Sequence, residues 1–524
     1  MPWSVANRLL SPDSPLPHIL NPLTVASSRD VAFADGVRPL VSRLSSKATN
    51  VLRIVPIRAP KGSAHLEVVQ GIAEEAKREV VEYRGDPSLI QDDSYLNSLV
   101  TSCWLAGKDL FLDEHVVSAV SGAKEQPTPH LLREIPATVF LGITERSQLA
   151  WIPDNLLAPI VEAPALSYPE RVEHWRLMLG TKAGDLDPII AECSRRFRYG
   201  KSTIEAVAEG LKSLPKPITN ADFLAACRAE LALDISSLAR EVVPRFEDER
   251  LILPRKQDLQ FRELVKAVRS LTEVHYGWGT ARIWNEVGIS ALFAGPPGTG
   301  KTMAAEILAR ELELPMYRID LSQVVNKYIG ETEKNLKQLF DAADVADIIL
   351  FFDEADSLFG RRTEVRDAHD RYANLEVSYL LERMERFKGV AILATNRKQD
   401  LDEAFLRRLR FIVDFPSPGM EQREEIWRQL VPDTVDTSQL DFDFLARRFD
   451  LTGGHINSIV FYACLQGADG PASLEGETHG RLTMENIVIA VKREYEKSNR
   501  SVSLEHFGPY AEIIERTEYE DAER

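Results

Sequence analysis

The chain has 524 residues, a formal net charge of −17, 44% hydrophobic residues and 27% charged residues. This length allows two or more domains with sizeable cores, and the composition is ordinary for a globular protein. The acidic balance argues against general binding to nucleic acids or to anionic membranes.

The cysteines and the N-terminus indicate the compartment. The four cysteines are far apart in the sequence, so they predict neither a disulfide framework nor a zinc site. The first residues lack a charged stretch followed by a long apolar run, and no segment approaches the roughly 20 apolar residues of a membrane span. We therefore expect a cytoplasmic protein without a membrane partner.

The first half of the chain contains short apolar runs that are typical of buried strands. Residues 51–55 form one run, residues 110–112 form a second that ends in two acids, and residues 140–143 form a third. Residues 180–235 have helical periodicity and predict a helical subdomain. Residues 236–288 form a predicted bridge to the second half of the chain.

A phosphate-binding loop follows the bridge. An apolar run at residues 289–294 predicts a buried strand, and a helix is predicted after the loop. Between them lies a match to G-x-x-x-x-G-K-[ST], in which glycines let backbone N–H groups turn toward an anion. Lys301 can reach the β- and γ-phosphates of a nucleotide, and the Thr302 hydroxyl can bind Mg²⁺. The predicted nucleotide-binding residues here are Gly295, Pro296, Pro297, Gly298, Thr299, Gly300, Lys301, Thr302 and Met303.

Two acids end the next strongly apolar run, at residues 348–352. Five apolar residues predict a central parallel strand that is buried on both faces, and ligands bind at the carboxyl ends of such strands. We expect Asp353 to hold Mg²⁺ and Glu354 to position and polarise the attacking water. The alternative is an ordinary acidic strand end.

A third apolar strand ends in Asn396 and is followed by a basic segment. With the two preceding motifs, this order resembles the AAA+ ATPases, and in particular their AAA subclass. The resemblance implies that Asn396 orients water against the γ-phosphate, and that Arg407 and Arg410 are arginine fingers that insert into a neighbouring subunit's site. A guanidinium there neutralises charge that develops during phosphoryl transfer. The alternative is that these arginines form a solvated basic face.

The same resemblance predicts the fold. It implies an α/β P-loop module, in which helices sandwich a parallel sheet, followed by a small helical lid at residues 419–500. In the lid, Gly454 and His455 are expected to pack near the adenosine, and Asn457 stands where many relatives have a sensor arginine. Residues 274–279 are expected to approach the adenine.

Residues Tyr328, Ile329 and Gly330 predict a loop that grips a substrate. Many AAA proteins that thread polypeptides have an aromatic–aliphatic–glycine loop at this place. An aromatic ring offers contact area that tolerates many sequences, and glycine lets the loop move. The alternative is that Tyr328 and Ile329 pack in the core. Residues 360–370 form a candidate second pore loop or a solvated helix entry.

The first half of the chain repeats the parts of the second half in the same order. Residues 110–114 match residues 350–354, and residues 160–164 match residues 412–416. This collinearity predicts a second, degenerate AAA+-like α/β domain with its own helical lid, and the alternative is an unrelated α/β domain. The predicted domains are residues 1–235 for the degenerate domain (core about 20–178, lid about 179–235), 236–288 for a linker, 289–418 for the ATPase core, 419–500 for its lid and 501–524 for an acidic C-terminal tail.

The degenerate domain is predicted to have lost its phosphate cradle. In the sequence alignment, Pro56, Ala59 and Lys61 stand where the P-loop has its three glycines. Gly62 replaces the loop lysine and Glu145 replaces the sensor asparagine. Proline offers no N–H to a phosphate, and Cβ atoms crowd a tight turn. We therefore expect this half neither to bind nor to hydrolyse ATP well, and to serve in scaffolding, ring assembly or partner recognition.

Residues 236–500 also resemble a narrower bacterial AAA group, which includes ATPases encoded beside extracellular contractile injection systems. Residues 294–306, 319–325 and 367–374 are the segments on which this resemblance rests. The resemblance implies a helper that remodels or loads such particles.

These observations favour an enzyme. The leading hypothesis is a Mg²⁺-dependent ATPase that binds ATP, forms a homo-oligomeric ring such as a hexamer, and remodels, unfolds or threads a protein substrate. A second hypothesis is a nucleotide-gated assembly or scaffold module with slow hydrolysis. A third is a loader acting on nucleic acid, against which the acidic balance and the aromatic loop argue.

Overall fold

The structure, a computed structural model, divides into two compact units, Met1–Ser194 with Arg198–Glu230, and Arg195–Phe197 with Leu231–Arg524. Each unit contains a six-stranded sheet. Within the described residues, no helix combines the length and the apolar character needed to cross a lipid bilayer. The structure describes residues 19–23, 40–41, 44, 53–59, 65–122, 137–163, 165–180, 186–214, 217–231, 238–247, 250–284, 286–324, 331–357, 368–401, 403–432, 434–467 and 481–516.

The sheet of the first unit has the strand order β1-β3-β4-β5-β2-β6. All neighbouring strands are parallel except β1, which pairs antiparallel with β3 at one edge. The strands are β1 (Leu20–Pro22), β2 (Ile54–Arg58), β3 (Glu79–Tyr83), β4 (Lys108–Leu112), β5 (Val139–Ile143) and β6 (Val161–Glu162). The helices are α1 (His65–Glu75), α2 (Asp93–Leu105), α3 (Glu114–Ser121), α4 (Tyr168–Leu179), α5 (Asp187–Arg196), α6 (Lys201–Lys212) and α7 (Asn220–Ala229).

The sheet of the second unit has the order β12-β8-β11-β10-β9-β7. Here too all neighbours are parallel except the edge strand β7, which pairs antiparallel with β9. The strands are β7 (Ala239–Val242), β8 (Ile289–Ala294), β9 (Met316–Asp320), β10 (Ile349–Asp353), β11 (Val390–Thr395) and β12 (Phe411–Asp414). The helices are α8 (Arg255–Arg269), α9 (Ala281–Trp284), α10 (Lys301–Leu312), α11 (Leu321–Val324), α12 (Glu331–Ala343), α13 (Ala368–Arg386), α14 (Glu403–Leu406), α15 (Met420–Leu430), α16 (Phe442–Arg448), α17 (Gly453–Gly467) and α18 (Met484–Lys497).

The central strands of the second sheet are apolar throughout because both of their faces are covered. All six residues of β8 are buried, as expected for a parallel strand between helical layers. On one face, Phe261 and Leu264 of α8 lie in the same core cluster as Phe293 of β8. On the other face, the ring of Phe340 in α12 stacks on Phe352 of β10 at 5.8 Å between centroids. The predicted α/β fold, with helices on both sides of a mostly parallel sheet, is confirmed.

The two sheets have the same strand order, the same directions and the same register. The N–H of Ala59 donates to Ile143 O at 3.0 Å, and the N–H of Gly295 donates to Thr395 O at 3.1 Å. Ala59 directly follows β2, and Gly295 directly follows β8. Ile143 and Thr395 each end the neighbouring strand, which is β5 in the first sheet and β11 in the second. Ala59 is therefore the counterpart of Gly295, and Ile143 is the counterpart of Thr395.

The correspondence continues into the helices that follow each sheet. In α4, Arg171 Nε donates to the carbonyl of Ser194 at 2.7 Å, and in α15, Arg423 Nε donates to the carbonyl of Ala446 at 2.9 Å. Each guanidinium also donates to the carbonyl five residues before it. Both arginines are buried, and each joins the start of one helix to a later helix. The first unit therefore repeats both the sheet of the second unit and its arginine-mediated link between two helices.

The register corrects the alignment of the first loop. Pro56 lies inside β2 and pairs with Leu141 of β5, so it is not the counterpart of Gly295. Because proline is normally excluded from strand interiors, the prediction from sequence assigned Pro56 to a loop. The strand β6 pairs only with the two residues after Pro56. The absence of an N–H group at Pro56 therefore removes no hydrogen bond between β2 and β6.

Two segments outside the predicted domain cores contribute to the fold of the second unit. The bridge supplies the edge strand β7 and the helix α8, so residues 239–269 are part of this unit rather than a free linker. At the other end, a 3₁₀ helix spans Leu504–Tyr510. Phe507 and Ile514 are each only 1% exposed and pack in the core formed by α15 to α18.

Candidate active site

The phosphate loop is built on two glycines with left-handed backbone. Gly298 has φ +74° and Gly300 has φ +98°, values that other residues rarely adopt. Gly295 is required for a different reason, because a Cβ atom there would lie 2.0 Å from the carbonyl oxygen of Phe415. The loop therefore keeps its backbone close to both the sheet and any bound anion.

Lys301 lies at the centre of the site. It begins α10, is 8% exposed, and its Nζ donates to Gly295 O at 2.7 Å, to Pro296 O at 2.9 Å and to Asn396 Oδ1 at 2.8 Å. Burial lowers the pKa of Lys301, and the nearby carboxylates of Asp353 and Asp356 oppose that shift. The ammonium is thus held between the loop and the strand β11, where it can contact a phosphate.

Two acids stand at the end of β10, as the sequence predicts. Asp353 Oδ1 accepts from the N–H of Glu354 at 2.9 Å, and its Oδ2 forms an ion pair with Arg318 Nη2 at 2.8 Å. Glu354 is exposed and has φ +51°, a backbone conformation that costs energy for a residue with a Cβ and that is often found at functional sites. Carboxylate and hydroxyl oxygens are the ligands that Mg²⁺ prefers, so Asp353 with Thr302 fits this ion.

Asn396 follows β11 and faces Lys301. Its Oδ1 accepts from the lysine, and its Nδ2 donates to Asp356 Oδ2 at 2.9 Å. Asp356 lies in a short 3₁₀ helix that directly follows Glu354. Sequence reasoning missed Asp356, although the signal was an additional acid beside the two predicted ones. The structure thus brings the loop lysine, the two acids and the asparagine together at the carboxyl ends of β8, β10 and β11.

The lid contacts the phosphate loop directly. The N–H of Gly454, in the first turn of α17, donates to the carbonyl of Gly298 at 2.8 Å. Beside it, Thr452 Oγ1 lies 2.8 Å from His455 Nδ1. Burial, followed by the positive charge of Arg500, lowers the pKa of His455. The start of α17 therefore lies next to the phosphate loop, and the placement of Gly454 and His455 near the adenosine stays a prediction.

A missed segment flanks the loop on another side. The side chain of Leu251 would be 3.6 Å from a Cβ at Gly300, so the backbone just before α8 passes the phosphate loop. Residues 274–279, which the resemblance assigns to the adenine, lie elsewhere, because His275 Nε2 contacts Val287 O near the amino end of β8. An apolar run at residues 251–253 was the signal for the segment that flanks the loop. The approach of residues 274–279 to the adenine stays a prediction.

The remaining loop residues have supporting positions. Thr299 Oγ1 donates to the carbonyl of Pro296 at 2.8 Å and so closes the turn. Thr302 is half-buried in the first turn of α10, and Met303 packs against the core beneath the sheet. Pro297 is exposed at the tip of the loop.

The two predicted arginine fingers lie at the end of the sheet where its parallel strands begin, opposite the end that carries the phosphate loop. Arg407 is exposed and pairs with Glu403 at 2.8 Å. Arg410 is exposed, and its N–H donates to Ser290 O at 3.1 Å, at the amino end of β8. Since β8 rises about 3.3 Å per residue, its whole length separates these arginines from the phosphate loop of the same chain. They are therefore too far away to act on their own loop.

The corresponding edge of the first sheet differs in its chemistry. His65 begins α1 just as Lys301 begins α10, and its Nε2 lies 3.1 Å from Ile143 O. Thr144 follows β5 as Asn396 follows β11, so Thr144 rather than Glu145 is the counterpart of the asparagine. Asp113 accepts from Val116 N at 2.9 Å and caps α3. The side chains that hold phosphate in the second unit have no equivalent among these residues.

The predicted substrate loop, Tyr328, Ile329 and Gly330, lies outside the described residues, as do residues 360–367 of the second candidate loop. The roles of both loops stay predictions.

Comparison with known proteins agrees with this geometry. Residues 291–417 match the family described as "ATPase family associated with various cellular activities (AAA)". The ATPase family gene 2 protein of Schizosaccharomyces pombe is 33% identical over 226 residues, which cover 41% of this chain and 28% of that protein.

Two archaeal proteins give similar values. The proteasome-activating nucleotidase 2 of Haloferax volcanii is 34% identical over 215 residues, which cover 39% of this chain and 51% of that protein. The proteasome-activating nucleotidase of Methanococcus vannielii is 32% identical over 251 residues, covering 44% and 61%. The chain thus spans between 28% and 61% of the length of these relatives. With the loop, the two acids and the asparagine assembled at one edge of its sheet, residues 291–417 form an AAA ATPase domain.

Proposed function

We propose that the chain is a Mg²⁺-dependent ATPase that works as an oligomeric ring and remodels, unfolds or threads a protein substrate in the cytoplasm. The observation on which this rests is the convergence of Lys301, Asp353, Glu354 and Asn396 at the carboxyl ends of three neighbouring parallel strands. This is the edge of an open α/β sheet at which ligands bind.

The residues divide the work of phosphoryl transfer. The loop N–H groups and the Lys301 ammonium bind the phosphates and neutralise their charge. Thr302 and Asp353 would hold Mg²⁺, which when bound supplies further positive charge at the β- and γ-phosphates. Nothing in this set requires a covalent enzyme intermediate, so positioning and electrostatics supply the catalysis.

Glu354 and Asn396 act on the water. Glu354 accepts a proton as the water oxygen bonds to the γ-phosphorus, and the bond from that phosphorus to the β–γ bridging oxygen breaks. ADP and inorganic phosphate leave, and Glu354 returns the proton to solvent. Asn396 Oδ1 orients the water by accepting a hydrogen bond.

Completion of the site in trans supports an oligomer. Arg407 and Arg410 are exposed and lie at the far edge of the sheet from their own loop. A neighbouring copy that presents this edge to the loop would supply the guanidinium that a developing phosphate charge needs. We propose a homo-oligomer, with the hexamer as its expected form.

Protein threading is proposed from the sequence of the loop at Tyr328, Ile329 and Gly330 together with the named relatives. Two of those relatives are proteasome-activating nucleotidases. The variant Tyr328→Ala should keep basal ATP hydrolysis and lose substrate-dependent work. If it retains both, threading through this loop is wrong.

The cellular role is proposed from the narrower sequence resemblance alone. Residues 236–500 resemble ATPases encoded with contractile injection systems, so we propose that the substrate is a component of such a particle. Stimulation of ATP turnover by purified particle components, and not by unrelated unfolded proteins, is the expected result.

A second function follows from the first unit, which keeps the sheet but not the phosphate-binding groups. In this alternative, ATP sets the assembly state, hydrolysis is slow, and the first unit binds a partner. Very slow turnover without stimulation by any substrate would favour it.

One experiment separates the two functions. ATP turnover and particle size are measured for the wild type and for Glu354→Gln across protein concentration. We expect specific activity to rise as the oligomer forms, and Glu354→Gln to bind ATP and retain the oligomer without turnover. Negligible wild-type turnover with intact ATP binding would overturn the motor and leave the nucleotide-gated scaffold.

A further inference from the structure

Asp356 makes an unusual number of contacts with the end of the neighbouring strand. Its Oδ1 accepts from the backbone N–H of Asn396 at 2.9 Å and from the hydroxyl of Thr395. Its Oδ2 accepts from Asn396 Nδ2 at 2.9 Å and, more weakly, from the same N–H at 3.3 Å. One half-buried carboxylate thus binds both the backbone and the side chain of Asn396.

The carboxylate decides which way the amide of Asn396 points. An ionised carboxylate only accepts hydrogen bonds, so the amide must turn its NH₂ group toward Asp356. The Oδ1 of Asn396 then faces the opposite way, and it accepts from Lys301 Nζ at 2.8 Å. If the amide were reversed, its oxygen would face the carboxylate and its NH₂ group would face the lysine, and both contacts would be repulsive.

We propose that Asp356 is a positioning residue for the hydrolytic reaction, which acts through Asn396 by fixing the amide oxygen toward the phosphates and the attacking water. This inference rests on the proposed ATPase function. Asp356 itself is not assigned a direct contact with nucleotide, since its two oxygens accept from Asn396 and Thr395.

The first unit offers a comparison within the same chain. Three residues after Asp113, where the second unit has Asp356 three residues after Asp353, stands the buried residue Val116. The counterpart of Asn396 is Thr144, whose N–H and hydroxyl bind Gln148 Oε1 instead. The acid and the asparagine are thus both absent from the sheet that lacks the other phosphate-binding groups.

The test uses the full chain and measures ATP turnover, KM and the affinity for a fluorescent ATP analogue. In Asp356→Asn, the new NH₂ group can donate to the amide oxygen of Asn396, so one of the two contacts that oppose the reversed orientation becomes attractive. We expect kcat to fall by about 10- to 100-fold, the size expected when a catalytic group is misplaced. KM and analogue affinity should stay within about threefold, because the phosphate contacts of Lys301 and the loop remain.

A double variant separates positioning from a structural role. In the Asn396→Ala background, Asp356→Asn should cause less than about a twofold further loss of kcat, because the group through which it acts is gone. Thr395→Val serves as the matched control, since it removes the other side-chain contact of Asp356 and leaves Asn396 in place. It should retain kcat within about threefold, and thermal unfolding of all variants establishes that they are folded.

Three outcomes would overturn the inference. They are full activity of Asp356→Asn, a loss in the double variant that multiplies the two single losses, and an equal loss of activity in Thr395→Val. If Asp356→Asn does not fold, Asp356→Ser takes its place in both backgrounds, because it too removes the carboxylate that accepts from the amide of Asn396. Failure of the proposed function is distinct, since the wild-type chain itself would then bind ATP without turnover.

Discussion

His65 occupies the position in the first sheet that Lys301 occupies in the second. Each is the first residue of the helix that follows the first parallel strand, six residues beyond the paired positions Ala59 and Gly295. Lys301 reaches Asn396, whereas the His65 ring is buried against Ile143 O. The long, charged side chain that a phosphate requires is thus replaced by a shorter ring.

The first prediction concerns nucleotide stoichiometry. The full chain should bind about one ATP analogue per chain, since His65 stands in the first unit where the second unit has Lys301. Lys301→Ala should abolish binding, and the matched variant His65→Ala should leave it unchanged. Isothermal titration measures both the number of sites and the affinity. Binding of a second nucleotide, or residual binding in Lys301→Ala, would assign a nucleotide site to the first unit.

The second prediction concerns the contact between the lid and the loop. A Cβ at Gly298 would lie 2.7 Å from Thr452 Oγ1, and φ there is +74°. Gly298→Ala should therefore weaken nucleotide binding by about 5- to 150-fold, since such backbone strain costs about 1–3 kcal/mol.

Gly453→Ala is the matched control, because its Cβ would be 3.4 Å from its nearest neighbour, the Gly298 carbonyl. Its affinity, measured with a fluorescent nucleotide, should stay within about threefold of the wild type. Equal effects of the two substitutions would mean that crowding at the loop is not what limits binding.

The third prediction concerns the paired arginines. Arg423→Met leaves two backbone carbonyls without their donor, so it should lower the free energy of unfolding by about 2–4 kcal/mol. Arg171→Met should have a similar effect on the first unit. Urea unfolding monitored by tryptophan fluorescence reports on both units, because Trp175 and Trp427 are fully buried in the same helices as Arg171 and Arg423.

Arg447→Met is the control for the third prediction. Arg447 forms an exposed ion pair with Asp443 within one helix, and such pairs contribute less than about 1 kcal/mol. A loss in this variant as large as that in Arg423→Met would assign the effect to general charge removal.

The fourth prediction concerns pH. The pKa of His455 is lowered in the folded state, first by burial, so the unfolded chain takes up a proton more readily. The free energy of unfolding should therefore fall as the pH drops through about 6.5, the ordinary pKa of histidine. His455→Gln should remove this part of the pH dependence.

Unfolding at pH 7.5 and pH 5.5 measures the difference between wild type and variant. His506→Gln, at a position exposed to solvent, is the control and should keep the wild-type dependence. If His455→Gln and the wild type respond equally to pH, the lid histidine does not contribute to the change.

The sequence predicted the parts of the site that follow one another along the chain. The loop from Gly295 to Thr302 and the pair Asp353 and Glu354 are local motifs attached to strongly apolar strands, so their place at the sheet edge follows from topology. Asp356 escaped prediction because its partner Asn396 is distant in sequence and becomes a neighbour only through the pairing of β10 with β11.

The repeat could be recognised from order and spacing, but its loop could not be aligned. Pro56 is typical of a turn, and only the pairing with Leu141 reveals that it lies within a strand. The sequence of α8 has apolar residues at helical spacing but does not indicate which core they cover, since periodicity defines a buried face and not its partner.

The hydrogen bond from Gly454 to Gly298 has a mechanical consequence. A hydrogen bond of this kind is lost when its donor and acceptor separate by about an ångström. The helix α17 therefore cannot rotate away from the sheet without either breaking this bond or carrying the loop backbone with it. The orientation of α17 and the conformation of the phosphate-binding backbone then change together. A force on the lid is therefore transmitted to the loop through the backbone, without an intervening side chain.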